Sequence, residues 1–280
     1  MERIIVSLTT YYRRIANVPV VLDTVYAQTV KPDLVVLNLA YDEVVPENVQ
    51  KYIDEHGIEV NRMADTKVYK KLIPTLKKYP DDCVISIDDD RILPPGMFED
   101  FISVHKQYPG NPVSGNRYMA YGFQCHCGNA SLTKAEYFGK YLDRIMDDEI
   151  IANCPIDDVT YTYFANKNGR PYIRTKNEYF DNLPPYNPGK GYSNSFKFDP
   201  VAASFEYLLK HEGKLPFPNL ELYEDYCDQR IMQSDIMESY IEMGRCEGRS
   251  EVKSSITYRF GYFFSSPFIH LVHYLRSKKR

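Results

Sequence analysis

The sequence predicts an α/β fold, a mostly parallel central sheet flanked by helices on both faces. Two observations carry this. Apolar, β-rich runs alternate with helical spacing of apolar residues through the first ninety positions, the punctuation of strand, helix and strand that builds parallel sheets. The chain also has the material for such a core: 280 residues, 44% hydrophobic and 26% charged, enough for one large domain or two small ones and unlike a disordered or fibrous chain.

The elements follow in order. Arg3-Ile-Ile-Val-Ser-Leu-Thr-Thr is the first strand, Val18 to Gln28 has helical spacing, and Leu34-Val-Val-Leu-Asn-Leu is the second strand. A weaker third strand sits at Ile58 to Asn61. Tyr69 to Tyr79 reads as a helix with Lys70, Lys71, Lys77 and Lys78 exposed, and Cys83-Val-Ile-Ser-Ile is a short buried strand that runs directly into Asp88-Asp89-Asp90. Beyond it, Met97 to Tyr108, Thr133 to Met146 and Val159 to Ala165 read as helices, the last beginning just after Asp157-Asp158. Asp181 to Pro200 holds four prolines and little periodicity, as a surface loop does. Leu220 to Met243 returns to helical patterning.

Charge divides the chain near residue 245. Residues 245 to 280 carry eight basic and two acidic side chains, a net of +6 against −4 for the whole, which leaves −10 on the first 244. An acidic body argues against nucleic acid as its partner, and the basic tail points to some anionic surface. The expected division is therefore a domain over 1–244, with halves 1–95 and 96–244, and a tail over 245–280. Six cysteines without a Cys-x-x-Cys pair indicate a reducing compartment. The first ten residues lack the apolar stretch of a signal peptide, and the uncharged run Phe260 to Leu275 falls short of the ~20 residues a spanning helix needs. The expectation is a cytoplasmic protein.

Three consecutive aspartates at the end of an apolar strand are the strongest chemical signal. The carboxyl ends of parallel strands face the ligand crevice, so Asp88, Asp89 and Asp90 would be delivered to one place. Three repelling carboxylates need a counter-charge, and oxygen-only donors suit Mn2+ or Mg2+ bridging to substrate phosphates. A solvated acidic turn is the alternative. Cys125-His126-Cys127 lacks the usual spacing of paired zinc ligands, and Gly122 to Gly128 suits an acceptor-side loop better. His211 is a further candidate ligand, or simply a solvated residue at a helix end.

Several blocks recur together with the triplet. Val6-Ser7-Leu8-Thr9-Thr10-Tyr11-Tyr12, Gln28-Thr29, Lys31-Pro32, Lys70-Lys71-Leu72-Ile73-Pro74 and Ile87-Asp88-Asp89-Asp90 together resemble the nucleotide-sugar half of a GT-A fold glycosyltransferase, closest to the family 2-type transferases of bacterial surface-polysaccharide assembly. Cys154-Pro155-Ile156-Asp157-Asp158-Val159 is similar to the acidic pair that the family places before a helix in its acceptor half. Ser255 to Gly261 with Pro267 is similar to its C-terminal tail.

The resemblance implies a Rossmann-like nucleotide-binding half and an acceptor half, with a helical tail. It implies a nucleotide-sugar donor, a glycan or lipid-linked acceptor, and a divalent ion, Mn2+ or Mg2+. Thr9 and Tyr11 match positions lining the nucleoside pocket, although a tyrosine after a strand also serves simple packing. Lys70 and Lys71 match a basic position near the diphosphate, unless they only continue a solvated helix face. Asp88 and Asp90 match the Asp-x-Asp metal motif, with Asp88 or Asp89 toward the ribose. Asp157 and Asp158 are the candidates for general base, Asp158 favoured by the family's pattern, since transfer to an alcohol requires its proton to be removed. Capping of the following helix is the other role open to them. In the tail, Tyr258, Phe260, Tyr262, Phe263, Phe264, Phe268 and Tyr274 flanked by Arg and Lys either anchor on an anionic cytoplasmic leaflet or pack on the domain. A nucleotidyltransferase and a non-catalytic carbohydrate- or nucleotide-binding protein are the remaining readings; the first would show a glycine-rich loop after strand one, and Thr9-Thr10-Tyr11-Tyr12 has none.

Overall fold

The computed structural model describes residues 2–115, 119–120, 123–124, 130–175, 177, 179, 196–197, 199–213 and 215. These fall almost entirely in one compact unit formed by Met1–Tyr118 and Gln124–Pro218. A second unit, Met119–Phe123 with Asn219–Arg280, contributes little more than a two-residue strand to what is described. Several expectations therefore lie outside the described residues: the loop from Asp181 up to Ser195, Cys125-His126-Cys127, the helix Leu220 to Met243, and the 245–280 tail with its boundary.

A seven-stranded sheet forms the core. Its strands are β1 (Ile4–Thr9), β2 (Leu34–Ala40), β3 (Glu59–Met63), β4 (Cys83–Ile87), β5 (Val113–Ser114), β8 (Ala130–Thr133) and β9 (Ile173–Arg174). Two more short strands, β6 (Met119–Ala120) and β7 (Phe123–Gln124), make a separate ribbon. The order β3-β2-β1-β4-β8-β5-β9 is parallel across β3, β2, β1 and β4, while β8 runs antiparallel to both β4 and β5. Ile5 to Leu8 of β1 and all of β4 are buried without alternation, so both faces of the sheet are covered. The covering helices are α1 (Val18–Tyr26), α2 (Glu47–His56), α3 (Ile73–Lys78), α4 (Met97–Gln107), α5 (Asp148–Asn153), α6 (Asp157–Lys167) and α7 (Pro200–His211). Helix α1 packs on α2, α3 on β2, and α4 on β5 and β8.

The alternation in the first ninety residues is as expected, with β3 shifted by one or two residues and α2 added before Gly57, whose left-handed backbone (φ +61°) ends that helix. Two expected helices are different. Tyr69 to Tyr79 is broken into a 3-10 turn, Lys67–Lys71, and then α3. Pro74 explains the break, because a continuous helix would lack its N–H and drive its ring into the Lys70 carbonyl. Lys77 and Lys78 are exposed as expected, but Lys70 and Lys71 are buried. Thr133 to Met146 begins as the end of β8 and continues as three short 3-10 turns, 135–137, 139–141 and 144–146. Gly139 interrupts them with φ +52°, and a side chain there would run into Asn168, which donates to the Glu136 and Tyr137 carbonyls. Helix α7 was not legible from periodicity. Its start is plain in the structure: Asp199 Oδ1 accepts from the Val201 and Ala202 amides, with Pro200 in the first turn.

Candidate active site

The strand order places the site. From β1 the chain winds outward through β2 and β3, then crosses back to lay β4 on the other side of β1. Ligands bind beyond the carboxyl ends of the strands at such a switch point. The two ends that meet there are Thr9-Thr10-Tyr11 after β1 and Asp88-Asp89-Asp90 after β4, held side by side by the parallel register Ser7 to Ser86.

The three aspartates have different surroundings. Asp89 is buried, its side chain 2% exposed, with Oδ2 accepting from Thr10 Oγ1 (2.6 Å) and Oδ1 paired with Arg14 Nη2 (3.0 Å). Burial pushes its carboxyl up to about 6 against the pull of Arg14 and Thr10. Asp88 and Asp90 are 31% and 22% exposed and can therefore meet a ligand. Asp90 Oδ2 lies 2.5 Å from Arg14 Nη1, and burial with the neighbouring Asp88 raises its pKa nonetheless. The counter-charge that the triplet requires is thus supplied in part by the chain itself. Arg14 spans two of the three carboxylates, and Lys71 meets the third.

Lys71 is the hinge of the arrangement. Its Nζ lies 3.1 Å from Asp88 Oδ1 and 3.1 Å from Asp157 Oδ2. Burial alone would strip its charge, but Asp157, Asp88 and Asp158 hold its pKa well above the ordinary lysine value, so it is a fixed cation. Its backbone is fixed as well. Ser7 Oγ on β1 donates to the Lys71 carbonyl (2.6 Å), and Asn38 Nδ2 on β2 donates to Ser7 Oγ and to Thr75 Oγ1, both at 3.0 Å. On the other side, Tyr69 donates to the Cys154 carbonyl (2.6 Å) and lies 2.7 Å from Thr160 Oγ1 of α6. The turn carrying Lys71 is therefore clamped between the sheet and the start of α6.

Asp157 and Asp158 are the first two residues of α6, where the helix dipole favours a carboxylate. Neither is the cap expected as their structural role: the N-cap is Ile156, without a side-chain bond. Asp157 is buried against Lys71, while Asp158 is half-buried. Lys70 does not join them, because its ammonium pairs with Asp65. Thr9 donates to the Asn38 carbonyl (2.8 Å) at the end of β1, and the exposed Tyr11 ring lies under the Arg14 guanidinium (5.3 Å). His211, at the end of α7, is exposed and stacks on Tyr207 (ring centroids 4.4 Å). Sequence reasoning missed Arg14, Thr10 and the Ser7, Asn38 and Thr75 network; the basic pair Arg13-Arg14 in the turn that follows Thr10-Tyr11-Tyr12 was the one available signal.

The half-buried donors that a ligand can reach, Asp88 and Asp90, are hard oxygens, which fits Mn2+ or Mg2+ bound with water and phosphate oxygens completing the shell. Among the described residues the acidic triplet does not by itself form a three-ligand cluster.

No protein-family model matches the chain, and no curated protein is similar to it in sequence. Solved structures are similar in fold. A mannosyltransferase from Pyrobaculum calidifontis, determined in complex with GDP-Man and Mn2+, aligns over 95% of this chain and 80% of its own with a TM-score of 0.53 at 15% identity. A 4-diphosphocytidyl-2C-methyl-D-erythritol synthase aligns over 67% of this chain and 94% of its own (TM-score 0.46, 14% identity). A glucosyl-3-phosphoglycerate synthase from Mycobacterium tuberculosis, determined with Mn2+, UDP and phosphoglyceric acid, aligns over 40% and 42% (TM-score 0.30, 17% identity). The last two overlaps are too loose to argue from. The first, with the sheet order above, makes this a GT-A-like α/β fold.

Proposed function

We propose that the protein is a metal-dependent, inverting glycosyltransferase that moves a sugar from a nucleotide-sugar to a hydroxyl of a glycan or lipid-linked acceptor in surface-polysaccharide biosynthesis. The observation that carries this reading is Lys71, which joins the triplet at the end of β4 to the acidic pair at the start of α6. A transferase of this class needs a place for a diphosphate and a base on the acceptor side, and the two carboxylate groups supply them within one charged unit.

Asp88 and Asp90 would hold the divalent ion, which when bound neutralises charge building on the departing nucleoside diphosphate. Thr9 and Tyr11 would line the nucleoside pocket. Lys71 adds fixed positive charge between the two carboxylate groups and holds Asp157 in place. Lys70 could reach a diphosphate only by leaving Asp65. Asp158 would take the proton of the attacking hydroxyl, and attack opposite the leaving group inverts the anomeric centre. Support for the ion comes from the oxygen donor set, and the P. calidifontis enzyme of similar fold was determined with Mn2+.

We assign 1–244 to the transferase domain and 245–280 to a membrane-surface tail. The support for the tail is its charge of +6 and its aromatic run, which suit an anionic leaflet. Among the described residues no helix is long and apolar enough to cross a membrane. A chain truncated before Ser254 should lose sedimentation with anionic vesicles; retained binding would remove this assignment.

The primary experiment is a thermal-shift panel of UDP, GDP, dTDP and CMP sugars with and without Mn2+. A ligand at 100 times its Kd should stabilise the native state by about 2.7 kcal/mol. The expected result is an Mn2+-dependent rise that Asp90→Ala abolishes, followed by transfer with release of the nucleoside phosphate. Release of pyrophosphate from a nucleoside triphosphate and a sugar phosphate would instead assign a nucleotidyltransferase.

A further inference from the structure

The strand that ends at the acidic triplet begins, at its other end, in a second cluster of chemically distinct donors. Cys83 opens β4, Glu2 precedes β1, and His105 lies in the last turn of α4. Cys83 Sγ is 3.3 Å from Glu2 Oε2 and 3.6 Å from His105 Nε2, and those two atoms are 3.5 Å apart. Zinc bonded at ~2.3 Å to sulfur, ~2.05 Å to nitrogen and ~2.1 Å to oxygen in a tetrahedron has edges of ~3.6 Å for S to N, ~3.6 Å for S to O and ~3.4 Å for N to O. The three side chains already outline one face of that tetrahedron.

The protons point the same way. Tyr137 donates its hydroxyl proton to the Pro109 carbonyl (2.8 Å), so its 3.3 Å contact with His105 Nδ1 requires the proton on that nitrogen. With that proton on Nδ1, the neutral ring carries its lone pair on Nε2. Two acceptors, Nε2 and Glu2 Oε2, thus face each other across the cluster, and the Cys83 thiol has a single proton to offer them. A cation answers all three groups at once. The outer contacts are those that orient metal ligands: Tyr137 fixes the His105 tautomer, and Lys134 holds the other Glu2 oxygen (2.9 Å) while pairing with Glu136 (3.0 Å).

We propose that Glu2, Cys83 and His105 bind a Zn2+ ion, with water in the fourth position on the half-exposed Glu2 side, at a site separate from the oxygen-lined triplet. A thiolate, an imidazole and a single carboxylate select zinc over Mg2+ or Mn2+. Binding releases the Cys83 proton to solvent as the thiolate forms. The ion would tie the start of β1 to β4 and α4, at the end of the sheet away from the reaction site.

The test uses the full chain stripped with a chelator and titrated with Co2+. One equivalent should give a thiolate-to-cobalt charge-transfer band with tetrahedral ligand-field absorption, bleached by Zn2+ and accompanied by a Zn2+-dependent rise in Tm. Cys83→Ser should remove the band and the rise, whereas the double variant Cys125→Ser and Cys127→Ser should keep both. Where Cys83→Ser does not fold, Glu2→Gln, at the half-exposed start of the chain, should weaken Zn2+ binding at least ~10-fold. Absence of the band in the parent chain, its persistence in Cys83→Ser, its loss in the double variant, or unchanged affinity in Glu2→Gln would overturn the proposal.

Discussion

Lys71 holds Asp157 through a contact of 3.1 Å in which both side chains are buried. Removing one partner of a buried ion pair leaves the other charged without compensation, at a cost of about 3–5 kcal/mol. Lys71→Met should therefore lower stability by about that amount in urea denaturation, since Asp157 and Asp88 both lose their cation. Adding Asp157→Asn should recover part of the loss, because it removes the buried one of the two carboxylates that lost the lysine. A double variant no more stable than Lys71→Met would show that the pair is not coupled in the way the distances state.

The neighbouring carboxylates should separate by role. Asp157 is buried against Lys71, whereas Asp158 is half-buried at the same helix start and is the proposed base. Asp158→Asn should reduce kcat by on the order of 10²–10⁴-fold, with donor-dependent thermal shifts and stability near the parent's. Asp157→Asn should show the reverse weighting, with a clear loss of Tm and a smaller loss of kcat. Full turnover by Asp158→Asn would remove it as the base.

Much of this was readable in the chain because it depended on local pattern. The strand ending in Asp88-Asp89-Asp90 and the acidic pair before α6 are contiguous, so their position on the fold follows from periodicity. What could not be read depended on strand order. Arg14 reaches Asp89 and Asp90 only because β4 is laid beside β1, and no spacing in the sequence encodes that adjacency. Lys70 and Lys71 were misread as an exposed helix face for a related reason. Pro74 breaks the helix just after them, and their burial is decided by Asp65, Asp88 and Asp157, which lie elsewhere in the chain. The Ser7, Asn38 and Thr75 network was likewise hidden, since three isolated polar residues in apolar runs acquire meaning only when β1, β2 and α3 are stacked.

Arg14 should not be replaceable by lysine. Its two terminal nitrogens contact different carboxylates, Asp89 at 3.0 Å and Asp90 at 2.5 Å, and an ammonium is a point charge that cannot span both. Arg14→Lys should cost on the order of 2 kcal/mol at neutral pH. The loss should also depend on pH. Asp89, already raised to about 6 by burial, would hold its proton to still higher pH without Arg14. The deficit relative to the parent should then be larger at pH 8, where the parent's Asp89 is ionised, than at pH 5, where it is protonated in both. Equal deficits in urea titrations at the two pH values would refute the pairing.

Asp65 gives the opposite pH signature. Burial opposes its ionisation, but hydrogen bonds from Lys67 and Lys70 outweigh that and lower its pKa from 3.8 to about 2. A carboxyl depressed in the folded state contributes stability that is fully present above the unfolded value and is lost as pH falls through the folded one. Asp65→Asn tests this cleanly, because the new side chain can still accept from the Lys67 amide, which Asp65 Oδ1 meets at 3.1 Å. That contact supports the left-handed backbone of Lys67 (φ 55°), so the substitution removes charge and leaves the turn its acceptor. The variant should be less stable than the parent at pH 7 and at pH 4.5, and the gap should close between about pH 4 and pH 2 as the parent's carboxylate takes up its proton. Glu2 and Glu59 are also lowered, so both chains weaken in acid and the informative quantity is the difference between them. A gap that stays constant down to pH 2 would mean that the ammonium groups of Lys67 and Lys70 add nothing through Asp65.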